Sequence, residues 1–133
     1  MESKFALRAA MVALLSLIAP FESAQAAPED FEFQLVQNEI EQGNDAVVAV
    51  KLIDKRTGAP VEQAVVFTTR MDMAPEGMEA MTTSVDALPS NEPGIYRFKT
   101  NLTMAGGWRF SIAAKVQGES DTVESRLEFK AVQ

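Results

Sequence analysis

From residue 31 onward, runs of apolar and β-branched residues are interrupted by a turn signal about every ten residues, which leaves room for strands but not for helices of ordinary length. Phe31, Phe33 and Leu35 alternate with Glu32 and Gln34, the period of a half-buried strand. Gln42-Gly43-Asn44-Asp45 reads as a turn, and Ala46 to Asp54 follows with Val48, Val50 and Leu52 on one face. Thr57-Gly58-Ala59-Pro60 turns the chain again. Ala64 to Arg70 is then rich in Val, Phe and Thr, residues that fit a pleated surface. Met71 to Ala80, broken by Pro75 and Gly77, reads as a loop, and Met81 to Leu88 as a further strand. Asn91-Glu92-Pro93-Gly94 carries Pro then Gly in type II order, ahead of an alternating segment from Ile95 to Thr100. Gly106-Gly107 opens a strand that places Trp108, Phe110, Ile112, Ala114 and Val116 on one face. Val123 to Val132 closes the chain, with Leu127, Phe129 and Ala131 alternating.

About seven strands and no amphipathic helix predict an all-β fold, an immunoglobulin-like antiparallel sandwich held without a disulfide. A small barrel is the alternative. Lys and Glu on the polar faces discourage edge-to-edge aggregation.

The first 26 residues read as a cleavable signal peptide rather than as part of that domain. Lys4 and Arg8 form a positive n-region, Ala9 to Ala19 is almost wholly apolar, and Ala24-Gln25-Ala26 supplies the small-x-small pattern of a cleavage site. An apolar run of about 11 residues falls short of the roughly 20 a membrane-spanning helix needs. No later stretch reads as a span, and no Cys follows Ala26 to carry a lipid. Cleavage there would leave 107 of the 133 residues. Residues 27–30 form a short leader that reads as disordered, and 31–133 form the sandwich. The expected location is periplasmic or secreted.

Two absences narrow the chemistry. The chain has no Cys and no His, so Ser-His-Asp and Cys-His catalysis, Cys/His zinc sites and blue-copper sites have no residues to build them. No catalytic constellation is visible and the expectation is a non-enzyme. A net charge of −7 makes nucleic acid and anionic lipid poor partners. Asp72, Glu76 and Glu79 read as solvated loop carboxylates. Arg70 and Arg109 read as cover for strand edges, and Trp108 as a core aromatic with its indole N–H satisfied locally.

One segment does carry chemistry. Of seven Met, Met1 and Met11 lie in the expected signal peptide, and four of the other five fall at Met71, Met73, Met78 and Met81. In an extended chain Met71 and Met73 point to one side. Pro75 and Gly77 could turn Met78 or Met81 back toward them, and Met104, near a later turn, could approach the same end. Thioether sulfur is soft, does not protonate near neutral pH, and selects Cu(I) or Ag(I) over Zn(II) or Mg(II). Three uses of such a cluster stay open at this level. It could bind a soft metal through Met71, Met73, Met78, Met81 and Met104. It could be an adaptable protein surface, or it could be flexible core filler.

The order of these elements resembles the YtkA-like family, which is related to the FixH-like proteins. The resemblance is carried by Gly58-Ala59-Pro60-Val61, the Met segment, Pro93-Gly94-Ile95-Tyr96-Arg97 and Met104-Ala105-Gly106-Gly107-Trp108. It covers roughly Phe31 to Val132 and implies an immunoglobulin-like sandwich of the bacterial envelope, often alone or beside copper-handling or efflux proteins, and without catalysis of its own. FixH-like members are associated with assembly of a copper-containing oxidase. The family's Met-rich loop falls on Met71, Met73, Met78 and Met81, and its Met-Ala-Gly element on Met104-Ala105-Gly106. The chain departs from the pattern in having Met73-Ala74-Pro75 in place of Met-Pro, acidic Glu76 and Glu79 within the loop, and no FixH-type anchor. The competing expectation is a metal-free interaction module of an envelope complex.

Overall fold

The computed structural model describes residues 27–133, so the signal peptide read at residues 1–26 lies outside the described residues. Strands are β1 (Phe31–Leu35), β2 (Glu39–Glu41), β3 (Gly43–Asp54), β4 (Val65–Met73), β5 (Met78–Thr83), β6 (Val85–Leu88), β7 (Ile95–Leu102), β8 (Gly106–Lys115) and β9 (Thr122–Val132). They form a four-stranded sheet, ordered β1-β3-β7-β6, and a five-stranded sheet, ordered β2-β9-β8-β4-β5. All pairings are antiparallel except that of β2 with β9. Two such sheets with Greek-key crossovers make the predicted immunoglobulin-like sandwich.

Among the described residues, nine strands replace the expected seven for two local reasons. β2 is only three residues long, too short for any period to show. The stretch read as one strand, Met81 to Leu88, begins earlier at Met78 and breaks at Ser84, where the chain leaves the five-stranded sheet for the other. The Gln42–Asp45 turn signal marks a comparable change of sheet, between β2 and β3, with a bulge between Gly43 and Ala46. The leader read as disordered is in part a 3-10 turn, Pro28–Asp30. It is tied down by the Lys55 N–H, which donates to the Asp30 carbonyl at 2.7 Å.

The core lies between the sheets, where alternation predicted it. Val48, Val50, Leu52 and Leu102 come from one sheet, and Trp108, Phe110 and Ala114 from the other, all with no exposure. Phe98 meets Phe110 edge to face across the interface, ring centroids 5.1 Å apart. Thr100 is the buried polar exception on β7, and its hydroxyl donates to the Ser84 carbonyl at 2.7 Å, fixing the point where the chain changes sheets. Among the described residues no helix is long and apolar enough to cross a membrane.

Candidate functional site

The methionine segment is not the loop its Pro and Gly suggested. β4 runs through Met71 and Met73, a 3-10 turn spans Ala74–Glu76, Gly77 takes the left-handed conformation at φ 74°, and β5 starts at Met78. Pro75 suits the first turn of such a helix and Gly77 its exit. The Ala74 N–H donates to Asp72 Oδ1 at 2.9 Å and the Gly77 N–H to the Ala74 carbonyl at 2.8 Å, so the tip of the hairpin is hydrogen-bonded internally.

The tip docks on the start of β8. Glu76 Oε2 accepts from the Gly107 N–H at 2.8 Å. Any side chain at position 107 would collide there, because a Cβ on Gly107 would lie 2.7 Å from Pro75 Cβ. Gly106, at φ +132°, is similarly crowded: a Cβ would lie 3.3 Å from Glu76 Oε2 and 3.4 Å from Met73 Cε. The Gly-Gly pair therefore permits close approach of the hairpin, beyond opening a strand. Next to it, Trp108 is wholly buried and its indole N–H donates to the Met104 carbonyl at 3.0 Å. The local partner expected for Trp108 is thus the Met104 turn. These contacts bring the methionine hairpin and the Met104-Ala105-Gly106 turn to one end of the sandwich.

The five candidate sulfurs sit in unlike surroundings. Met71 and Met73 do share a face, but it is the inner one, and both have no exposure. Met81 is half-buried and packs against the core. Met78 and Met104 are the reachable thioethers, 37% and 39% exposed.

The carboxylates also divide. Asp72, read as solvated, has no exposure. Its Oδ2 accepts from Arg70 Nε at 2.9 Å and from Arg109 Nη2 at 3.0 Å, and Arg70 continues to the Glu79 carbonyl at 2.7 Å. Burial pushes the Asp72 pKa up, but the hydrogen bonds from Arg70, the Ala74 N–H and Arg109, with the charge of Arg109, outweigh it and hold the group below its ordinary value. Arg70 and Arg109 therefore do more than cover edges. Together with Asp72 they clamp β4 to β8 just before the hairpin tip. Arg109 Nε is buried without a partner among the described residues. Sequence reasoning missed this clamp because the register that pairs Asp72 with Arg109 is tertiary. The available signal was the alternation Arg70-Met71-Asp72-Met73, which puts Arg70 and Asp72 on one face and the two Met on the other. Among the described residues no three His, Cys, Asp or Glu side chains gather as a hard-ligand metal site.

The methionine-bearing hairpin closes one end of an immunoglobulin-like sandwich that holds no cysteine. The family model for YtkA-like proteins matches residues 25–113, and the chain belongs to that family. No curated protein matches it. Among solved structures, the Lin-41 filamin domain is similar at 20% identity and a TM-score of 0.45, covering 69% of this chain and 89% of its own. The ZirS C-terminal domain is similar at 14% identity and 0.46, covering 100% and 86%. A conjugative transposon lipoprotein from Bacteroides eggerthii is similar at 13% identity and 0.35, covering 75% and 96%.

Proposed function

We propose that this chain is an exported accessory module of the cell envelope that takes a soft cation, Cu(I), at the hairpin end of the sandwich. Met78 and Met104 are the first thioethers the ion meets, with Met73 behind them. The observation that carries this reading is the docking of Glu76 on Gly107, which sets the hairpin tip beside the Met104 turn. Two sequence-distant methionine segments thereby share one end of the molecule. Thioethers favour a soft monovalent ion and need no deprotonation. The charge of −7 draws cations to the surface without selecting among them. Lacking Cys and His, the site is expected to exchange its ion readily, which suits hand-over to copper-handling or efflux proteins of the envelope.

The test is anaerobic titration of residues 27–133 with Cu(I) against a competing chromophoric chelator. The reading expects one equivalent to be withheld from the chelator, Zn(II) to be ignored, and the Met78→Leu/Met104→Leu variant to withhold none. Unchanged binding in that variant would contradict it.

A second reading is favoured by the complete burial of Met71 and Met73. In it the methionines are core filler and adaptable surface for a protein partner, with no metal. It predicts that a partner is retained in the presence of a copper chelator, with Met78→Leu tolerated and Met78→Asp not.

A further inference from the structure

A second surface lies away from the methionine end. β5 pairs with β4 only at Met71, Asp72 and Met73, so among the described residues no strand pairs the outer edge of Val65–Thr69. The chain crosses at Ser84 to β6, which forms the edge of the opposite sheet. Between the bare part of β4 and β6 the sandwich opens into a groove of about 480 Å³, lined by Ala64, Val66, Leu88, Tyr96 and Phe98 among others.

The groove is built rather than left by loose packing. The Tyr96 hydroxyl donates to the Val61 carbonyl at 2.8 Å and accepts from the Ala64 N–H at 2.9 Å. These bonds hold the connection into β4, where Gln63 keeps a left-handed φ of 62°. A non-glycine residue in that conformation persists only where its surroundings enforce it. On the other wall, Gly94 packs so closely that a Cβ would lie 2.5 Å from Pro60 Cβ.

The edge carries only part of the usual protection. Ala64-Val65-Val66-Phe67-Thr68-Thr69 holds no charge and no Pro, and Val65 and Phe67 are 62% and 53% exposed. Edge strands are normally blunted by Lys, Pro or a bulge, and here only a bulge between Val66 and Thr68 interrupts the ladder.

We infer that this groove and edge take an extended, cationic segment of another protein, added as a strand beside β4. Backbone groups on the bare edge supply the hydrogen bonds of such an addition, and the groove receives alternate apolar side chains. Charge selects the partner. All of the −7 lies in residues 27–133, because Glu2 and Glu22 balance Lys4 and Arg8 in residues 1–26. Among the charged groove-lining residues, Glu62 and Glu92 outnumber Arg97. A second copy of the chain would bring the same negative charge to this edge, whereas a Lys- or Arg-bearing strand complements it.

The test is selection of a random dodecapeptide library against residues 27–133, with the selected peptides mapped by backbone amide shifts. The expected peptides carry apolar residues at alternate positions flanked by Lys or Arg, and they shift the amides of Val65–Thr69. Val65→Lys/Phe67→Lys, at two exposed positions that leave the core intact, should weaken them by at least about tenfold. Met78→Leu/Met104→Leu should leave them unchanged, which separates this surface from the proposed metal end. No enrichment, enrichment of acidic peptides, shifts confined to the hairpin end, or pairing of two copies through β4 would each overturn the inference.

Discussion

Asp72 Oδ2 and Arg109 Nη2 meet at 3.0 Å although the residues are 37 positions apart, and their strands pair them directly. The carboxylate is fully covered while Arg109 keeps 24% of its side chain in solvent, so the ion pair is closed on one side and wet on the other. Removing the charge leaves Arg70, Arg109 and the Ala74 N–H facing a group that no longer compensates them. Asp72→Asn is expected to cost about 2 kcal/mol, in the range for hydrogen bonds to a charged group, measured by urea unfolding at neutral pH.

The same carboxylate predicts an acid dependence. Its folded pKa lies below the ordinary 3.8, so the folded state binds the proton less readily than the unfolded chain. Its contribution is therefore complete above that ordinary value and is lost as pH falls through the lower folded value. The stability difference between the parent chain and Asp72→Asn should shrink on acidification below 3.8. A difference constant through that range would show that Asp72 does not titrate as the clamp requires.

Gly107→Ala puts a methyl group where Pro75 already sits. The expected loss is about 2 kcal/mol, typical of overpacking a tight contact. Amide shifts should concentrate in Ala74–Gly77 and the Met104 turn, read from backbone spectra of the variant.

The methionines should separate into two groups. Met73→Ala removes a fully buried side chain and is expected to cost about 3 kcal/mol. Met78→Ala, at an exposed position, should stay within about 0.5 kcal/mol. Comparable losses from both would mean that the hairpin tip packs far more tightly than its exposure indicates.

Much of the sandwich was legible because its strands are half-buried and so carry a period of two. Trp108, Phe110, Ile112, Ala114 and Val116 all face inward as read. What escaped was decided between elements rather than within them. The break at Ser84 has no turn signal, and only the Thr100 hydroxyl marks it. The shared side of Met71 and Met73 followed from alternation, but alternation does not say which side is the core. Asp72 looked solvated because its neighbours Pro75 and Gly77 spoke for a loop, while the Arg109 that covers it comes from another strand. The Gly106-Gly107 pair was read as a strand opening, and its tolerance of the hairpin tip became visible only with Pro75 in place.

The most direct test of the soft-metal reading is a Cu(I) titration followed through the methyl signals of the five methionines of residues 27–133, each labelled at its Cε. The account predicts that Met78 and Met104 shift together and saturate at one equivalent, while Met71, buried deeper in the core, stays in place. Shifts that never saturate, or methyl signals unmoved by Cu(I), would contradict a metal role and leave the hairpin end as a surface for a protein partner.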